Sequence, residues 1–198
     1  MKTTNLIRWS ALAALASGVL WVIGGLLTLA YPQAPPDFPA TRLDYLGTSV
    51  VSAAYLGVLG VLVGLRARQQ DSYGSLGTWG FVLAFVGAAL LFVGQGSSAV
   101  FTGNGALTWL LDDPGYAFMV AMNLHLLGLV MLGISTLRAA MLPAWCGLAL
   151  MGVVAVSIFG AIASVGLAFV AVGLLWMAIG YTLWQESTAP VGRPQHGS

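Results

Sequence analysis

The sequence predicts an all-α polytopic membrane protein, a bundle of six transmembrane helices with both termini on the cytoplasmic side. Three observations predict it. Hydrophobic residues fill 59% of the 198 positions and charged residues 7%. Ordinary soluble domains carry roughly 25% charged residues, because they have a large surface to cover with polar groups. The few charges leave uncharged runs of membrane-spanning length, and nearly all Lys and Arg fall on one side of the spans those runs imply.

A helix needs roughly 20 apolar residues to cross about 30 Å of hydrocarbon. The first expected helix, 7–30, takes its apolar run from Trp9 to Tyr31, after Arg8. Pro32, Pro35, Pro36 and Pro39 follow, a stiff, extended outer loop. The second helix, 46–66, uses the 21 uncharged residues between Asp44 and Arg66. From Ser72 to Leu111 there are 40 uncharged residues. They divide into a third helix, 75–97, and an outer loop, since Thr102-Gly103-Asn104-Gly105 is turn chemistry. Asp113 as N-cap and Pro114 in the first turn open the fourth helix, 114–138. The 47 uncharged residues from Ala139 to Gln185 fit two spans, 143–163 and 166–185. Pro143 opens the first of them, and the turn falls near Ser164-Val165-Gly166. Residues 1–185 thus form a single transmembrane domain, and 186–198 read as a disordered cytoplasmic tail with Pro190 and Pro194. Strands are not expected, because the runs are continuous rather than alternating and a spanning sheet must close into a barrel.

Orientation follows from the basic residues, which favour the cytoplasmic side. Lys2, Arg8, Arg66, Arg68, Arg138 and Arg193 fall together if there are six spans, and Arg42 is the exception. Trp9, Trp79, Trp145 and Trp184 would mark the inner interface; Tyr31, Tyr45, Trp109 and Tyr116 the outer one. A competing reading makes Met1–Ala30 a cleaved signal peptide. Its apolar run is far longer than the usual 7–15 residues, which favours a retained helix.

Trp9 and Gly24, Trp79 and Gly94, and Trp145 and Gly160 share the spacing Trp-x14-Gly, with second glycines at Gly18, Gly87 and Gly152. The pattern reads as three repeated helical hairpins in parallel orientation. Interfacial tryptophan and the abundance of glycine, 26 in all, offer a competing account of it. Gly60-x3-Gly64 and Gly160-x3-Ser164 are small-residue faces suited to close helix packing, within the chain or in a homo-oligomer.

Known chemical signatures are missing: no HExxH, GxSxG, Walker A or dinucleotide fingerprint occurs. Cys146 stands alone, so no internal disulfide or CxxC pair exists, and it reads as a packing residue. The net charge of +1 and the absence of a basic, aromatic-interleaved tract give no reason to expect nucleic acid. No cofactor and no metal site are expected. A set of polar residues remains in the outer half of the spans: Ser49, Ser52 and Tyr55 on the second helix, Gln95 and Ser97 on the third, and Asn123 and His125 on the fourth. Of these, Ser52, Tyr55, Gln95, Asn123 and His125 are singled out. They sit at similar depth and are candidates to line an outward-facing ligand cavity, with Arg42, Asp44, Asp112 and Asp113 at its rim. His125 is the strongest of them, because ionisable residues at membrane depth often mark pathways. The competing reading is that each merely hydrogen-bonds a neighbouring helix, worth about 0.6 kcal/mol.

The closing segment Leu174-Leu175-Trp176-Met177-Ala178-Ile179-Gly180-Tyr181-Thr182-Leu183-Trp184 carries a resemblance. So do Asn5-Leu6-Ile7-Arg8-Trp9-Ser10 and Leu142-Pro143-Ala144-Trp145-Cys146-Gly147. With them the chain resembles small bacterial six-helix inner-membrane proteins of unknown function, and in layout most spans are covered. It is more distantly similar to acid-resistance inner-membrane proteins built from three hairpins, whose compact loops differ from the long ones here. The resemblance implies a prokaryotic cytoplasmic membrane and no catalytic residues. The function expected is non-enzymatic binding or transport of a small or lipidic ligand, or of a membrane partner, from the outer side. One alternative is an intramembrane enzyme with His125 as acid or base, oriented by Asn123 or Tyr55. The other is an oligomerising structural or stress-response subunit.

Overall fold

A computed structural model describes residues 2–31, 42–69, 74–100 and 114–188. These residues form six α-helices: α1 Lys2–Ala30, α2 Arg42–Gln69, α3 Gly74–Val100, α4 Pro114–Ala139, α5 Ala144–Ala163 and α6 Val165–Thr188. Five of them are long and apolar enough to cross a membrane; the apolar run of α5, Ala144–Gly160, is shorter. Asp112, Asp113 and the segment expected as an outer loop after α3 lie outside the described residues.

Each helix packs antiparallel on its neighbours in sequence, and α1 also packs along α6, so the six close into a ring. Small residues repeating every seven positions make many of the close contacts. Ala11, Gly18 and Gly25 of α1 face Gly180, Gly173 and Gly166 of α6, and a Cβ on Gly25 would stand 2.6 Å from the Gly166 carbonyl oxygen. On the adjoining stripe of α1, Ser10 and Ser17 meet Gly64 and Gly57 of α2. Gly80 and Gly87 of α3 meet Gly128 and Ala121 of α4 in the same manner. A seven-residue period holds one stripe of a gently supercoiled helix against one partner. Among lipid tails, as apolar as leucine, this close backbone approach is what brings helices together. Gly60 and Gly64 both face α1, so that small-residue face is used inside the chain.

Short turns join the later helices. Ala140 adopts φ 49°, the left-handed position that commonly ends a helix. Pro143 then stands at the N-cap of α5, one residue before the helix rather than inside it, and its carbonyl accepts the Cys146 N–H at 2.9 Å. Ser164 alone separates α5 from α6. Extended at φ −166° and ψ 115°, it donates its N–H to the Gly160 carbonyl, and its hydroxyl oxygen accepts the Leu167 N–H at 3.4 Å. One serine thus closes one helix and caps the next.

The end of the ring holding the start of α1 and the end of α6 also holds Arg8, Arg66, Arg68 and Arg138, and is called the basic end below. There Gln69 and Thr136 hydrogen-bond each other at 3.2 Å across the ring, from α2 to α4. Arg68 pairs with Glu186 of α6 at 2.9 Å. Arg8 lies over the Trp184 ring and Arg66 over that of Phe81. The first two links join helices that are not neighbours, α2 with α4 and α2 with α6, and the two cation–π contacts join packed neighbours; together they pin the ring shut. The outer wall is apolar, with Leu26, Phe159, Leu167 and Leu174 all facing outward.

The expected hairpin repeat is not shown. Trp9, Trp79 and Trp145 are all exposed, but Gly24 and Gly160 lie against neighbouring helices while a Cβ on Gly94 would meet nothing within 4 Å.

Candidate functional site

Toward the end opposite the pinned one, the helices enclose a cavity of about 220 Å³. Every helix contributes a wall: Trp21 from α1, Tyr55 from α2, Gln95 from α3, His125 from α4, Val153 from α5 and Trp176 from α6. The lining is mostly aromatic and aliphatic, with a few polar groups set into it. That is the usual composition of a small-molecule site.

The aromatic wall is a run of edge-to-face contacts. Trp21 meets Phe169 with ring centroids 4.9 Å apart and Tyr55 at 5.1 Å, and Tyr55 meets His125 at 6.0 Å. Such arrangements set the positive edge of one ring on the negative face of the next. Among the described residues the buried Trp21 indole Nε1–H has no hydrogen-bond acceptor, an arrangement that costs about 1–3 kcal/mol. His125 is buried at 4% exposure, and its Nδ1 lies 2.9 Å from the Ala84 carbonyl oxygen. A carbonyl only accepts, so Nδ1 carries the proton and Nε2 is left as an acceptor. This reach from α4 to α3 depends on Gly87. A Cβ there would press on the His125 backbone nitrogen and stand 2.7 Å from the Ala121 carbonyl oxygen.

A smaller cavity of about 90 Å³ adjoins the first at the same end, between α1 and α2. Thr28, Tyr31, Asp44 and Thr48 give it a polar wall. Val51, Gln95 and Phe169 line both cavities, so the two meet at the Gln95 side chain.

The polar residues singled out from the sequence divide sharply. Tyr55, Gln95 and His125 share the central cavity, and Asp44 lies at the adjoining one. Ser52 lines neither; its hydroxyl donates to the Phe92 carbonyl at 3.1 Å and ties α2 to α3. Asn123 is exposed on the outer side of α4 and donates to the Met119 carbonyl of its own helix at 2.7 Å. Arg42 is exposed at the start of α2 and lines neither cavity. Asp112 and Asp113 lie outside the described residues. Among the described residues, no group of three His, Cys, Asp or Glu side chains could hold a metal ion.

Sequence reasoning missed the aromatic wall of Trp21, Phe169 and Trp176. A signal for it exists. Trp21 is twelve residues beyond Trp9 and Trp176 eight before Trp184, so at 1.5 Å per residue both sit far below the interfacial belt where tryptophan normally resides. A tryptophan at mid-membrane depth is worth asking about.

Comparison with known protein families, curated proteins and solved structures finds no match to this chain.

Proposed function

We propose that the chain is a membrane-embedded binding protein that holds a small apolar or lipidic ligand inside its helix ring. The observation that carries this reading is the central cavity itself, walled by all six helices and lined by aromatic and aliphatic side chains with the polar groups of Tyr55, Gln95, His125 and Ser157 among them. Closely packed helices leave few voids larger than a water molecule. An apolar void of roughly 150 Å³ stays dry and takes up benzene, so one of about 220 Å³ has room for one ring or a single chain. It has no room for a two-tailed lipid.

In the same reading α5 is the sixth span. Its 20 residues reach about 30 Å at 1.5 Å per residue, the thickness of the hydrocarbon core. The basic end faces the cytoplasm of a prokaryotic cell membrane, because cytoplasmic loops carry the excess of Lys and Arg. The cavity then lies in the outer half of the membrane and is supplied from that side.

The test is to fill the void. Val172 lines it and is buried, so Val172→Phe should occupy the space without new surface elsewhere. Protein purified in lipid discs should carry a small molecule detectable by native mass spectrometry. Val172→Phe should lose it, while Val19→Phe on the outer wall should keep it. Equal occupancy in both variants would sink the reading.

A further inference from the structure

We propose that the central cavity selects a neutral ligand bearing a hydroxyl group, an alcohol or phenol of about one ring, held between the Tyr55 hydroxyl and Nε2 of His125. This rests on the binding reading above and names its ligand class. Both side chains line the cavity, and their rings are neighbours, edge to face with centroids 6.0 Å apart. Each has unspent capacity of a definite kind. His125 spends Nδ1–H on the Ala84 carbonyl, which leaves Nε2 able only to accept. The Tyr55 hydroxyl, a donor, makes no hydrogen bond among the described residues. Neither atom is sealed in the packing, since among the described residues Trp21 Nε1 alone is fully buried without a partner. On residues otherwise 5% and 4% exposed, both atoms are therefore open to the cavity they line. The remaining polar groups of the wall are occupied. Ser157 donates to the Val153 carbonyl of its own helix at 2.8 Å, and Gln95 already has an interaction partner.

An open donor beside an open acceptor calls for a group that both accepts and donates, and a hydroxyl is the smallest that does. A ketone or ether would accept from Tyr55 and leave Nε2 bare. A primary amide would bring two N–H donors to one acceptor, and a hydrocarbon would leave both wall groups unpaired. No Asp, Glu, Lys or Arg lines this cavity, so a carboxylate or an ammonium would be buried there without a counter-charge. The head is therefore neutral. The body is apolar, to match Phe169, Val172 and Trp176. Phe118 and Val165 line the cavity and are also exposed. The wall there is one apolar side chain thick, a route for a molecule arriving from lipid.

The experiment uses two aryl-diazirine photoprobes of one ring each, a benzyl alcohol and its analogue with methyl in place of the hydroxyl, on the full chain in lipid discs. Mass spectrometry of the labelled peptides separates the cavity from the outer wall. Labelling at Phe159 and Leu174, which face outward, corrects for how much of each probe enters the disc. After that correction the alcohol should label the cavity about tenfold above its analogue, the scale of two net hydrogen bonds. Tyr55→Phe and His125→Leu should each cut the preference to about threefold or less, and Val172→Phe should erase cavity labelling by both probes. Tyr55→Phe leaves no protein group unpaired, thermal unfolding checks that each variant is folded, and the comparison in wild type stands without any of them. Equal labelling by the two probes, lost in Val172→Phe, overturns the hydroxyl assignment and leaves the binding cavity standing; a water held by the two groups would give that result. A preference that either Tyr55→Phe or His125→Leu leaves intact also overturns the assignment. Cavity labelling that survives Val172→Phe overturns both readings, as does none in wild type.

Discussion

His125 shows how a polar residue inside a membrane can be both structural and available. Its Nδ1–H is spent on the Ala84 carbonyl, which fixes the ring against α3 and leaves Nε2 as an acceptor on a cavity-lining side chain. No carboxylate orients it, the partner being a backbone oxygen. An acid–base role would want a second group to hold the ring in one tautomer by charge. His125→Leu should therefore keep the fold and lose about 0.6–1.7 kcal/mol, the range for a hydrogen bond between membrane helices. Mass spectrometry of the bound molecules should show the polar ones depleted and hydrocarbon-like ones retained. Loss of all of them, with folding intact, would mean that His125 carries the binding alone.

At the scale of elements, the helices are chosen by apolar length but paired by small residues. Gly87 and Gly94 both belong to the seven-residue series of α3, yet they differ in what surrounds them. Gly87 lies directly on the α4 backbone, and Gly94 has open space beside it. Gly87→Ala should force α3 from α4 and destabilise by about 1–3 kcal/mol, the scale of overpacking. Gly94→Ala should be neutral or gain up to about 1 kcal/mol of helix propensity. Denaturation in mixed micelles measures both, and equal effects would show that the spacing does not determine the packing. The helices themselves were legible, because charges bracket apolar runs wherever a chain must cross hydrocarbon. The pairing was less so. Trp-x14-Gly, a separation of 15, is not a multiple of the seven-residue period that marks the contact faces of α1 and α6. A stripe of small residues, however, announces a contact without naming its partner. Only with both faces known does Gly18 fall opposite Gly173 and Gly25 opposite Gly166. Similar depth was also a poor guide to a shared site. Successive residues turn by about 100°, so Asn123 and His125, two apart, face nearly opposite ways. One points out of the ring and the other into it.

For the whole molecule, the ring is closed at one end by Gln69, Thr136, Arg68 and Glu186 and hollow toward the other. The site was only partly visible in sequence because its walls are mainly aromatic, and an apolar side chain facing a void reads like one facing lipid. Which compartment the hollow end meets depends on orientation, and the basic residues make a definite prediction. Arg42 and Tyr31 are exposed at the hollow end, and Ala140 and Thr188 at the basic end. Single cysteines at these four positions in a Cys146→Ser background test it; Cys146 is buried, so its replacement leaves the surface unchanged. In intact cells an impermeant thiol reagent should modify Arg42→Cys and Tyr31→Cys. Ala140→Cys and Thr188→Cys should react only after lysis. The opposite result at all four would turn the molecule over and place the cavity in the inner half of the membrane, changing the source of its ligand. Reaction at Thr188→Cys with protection at Ala140→Cys would mean that α5 and α6 do not both cross. That division bears on α5, the short helix, and through it on whether the cavity has six walls within the membrane.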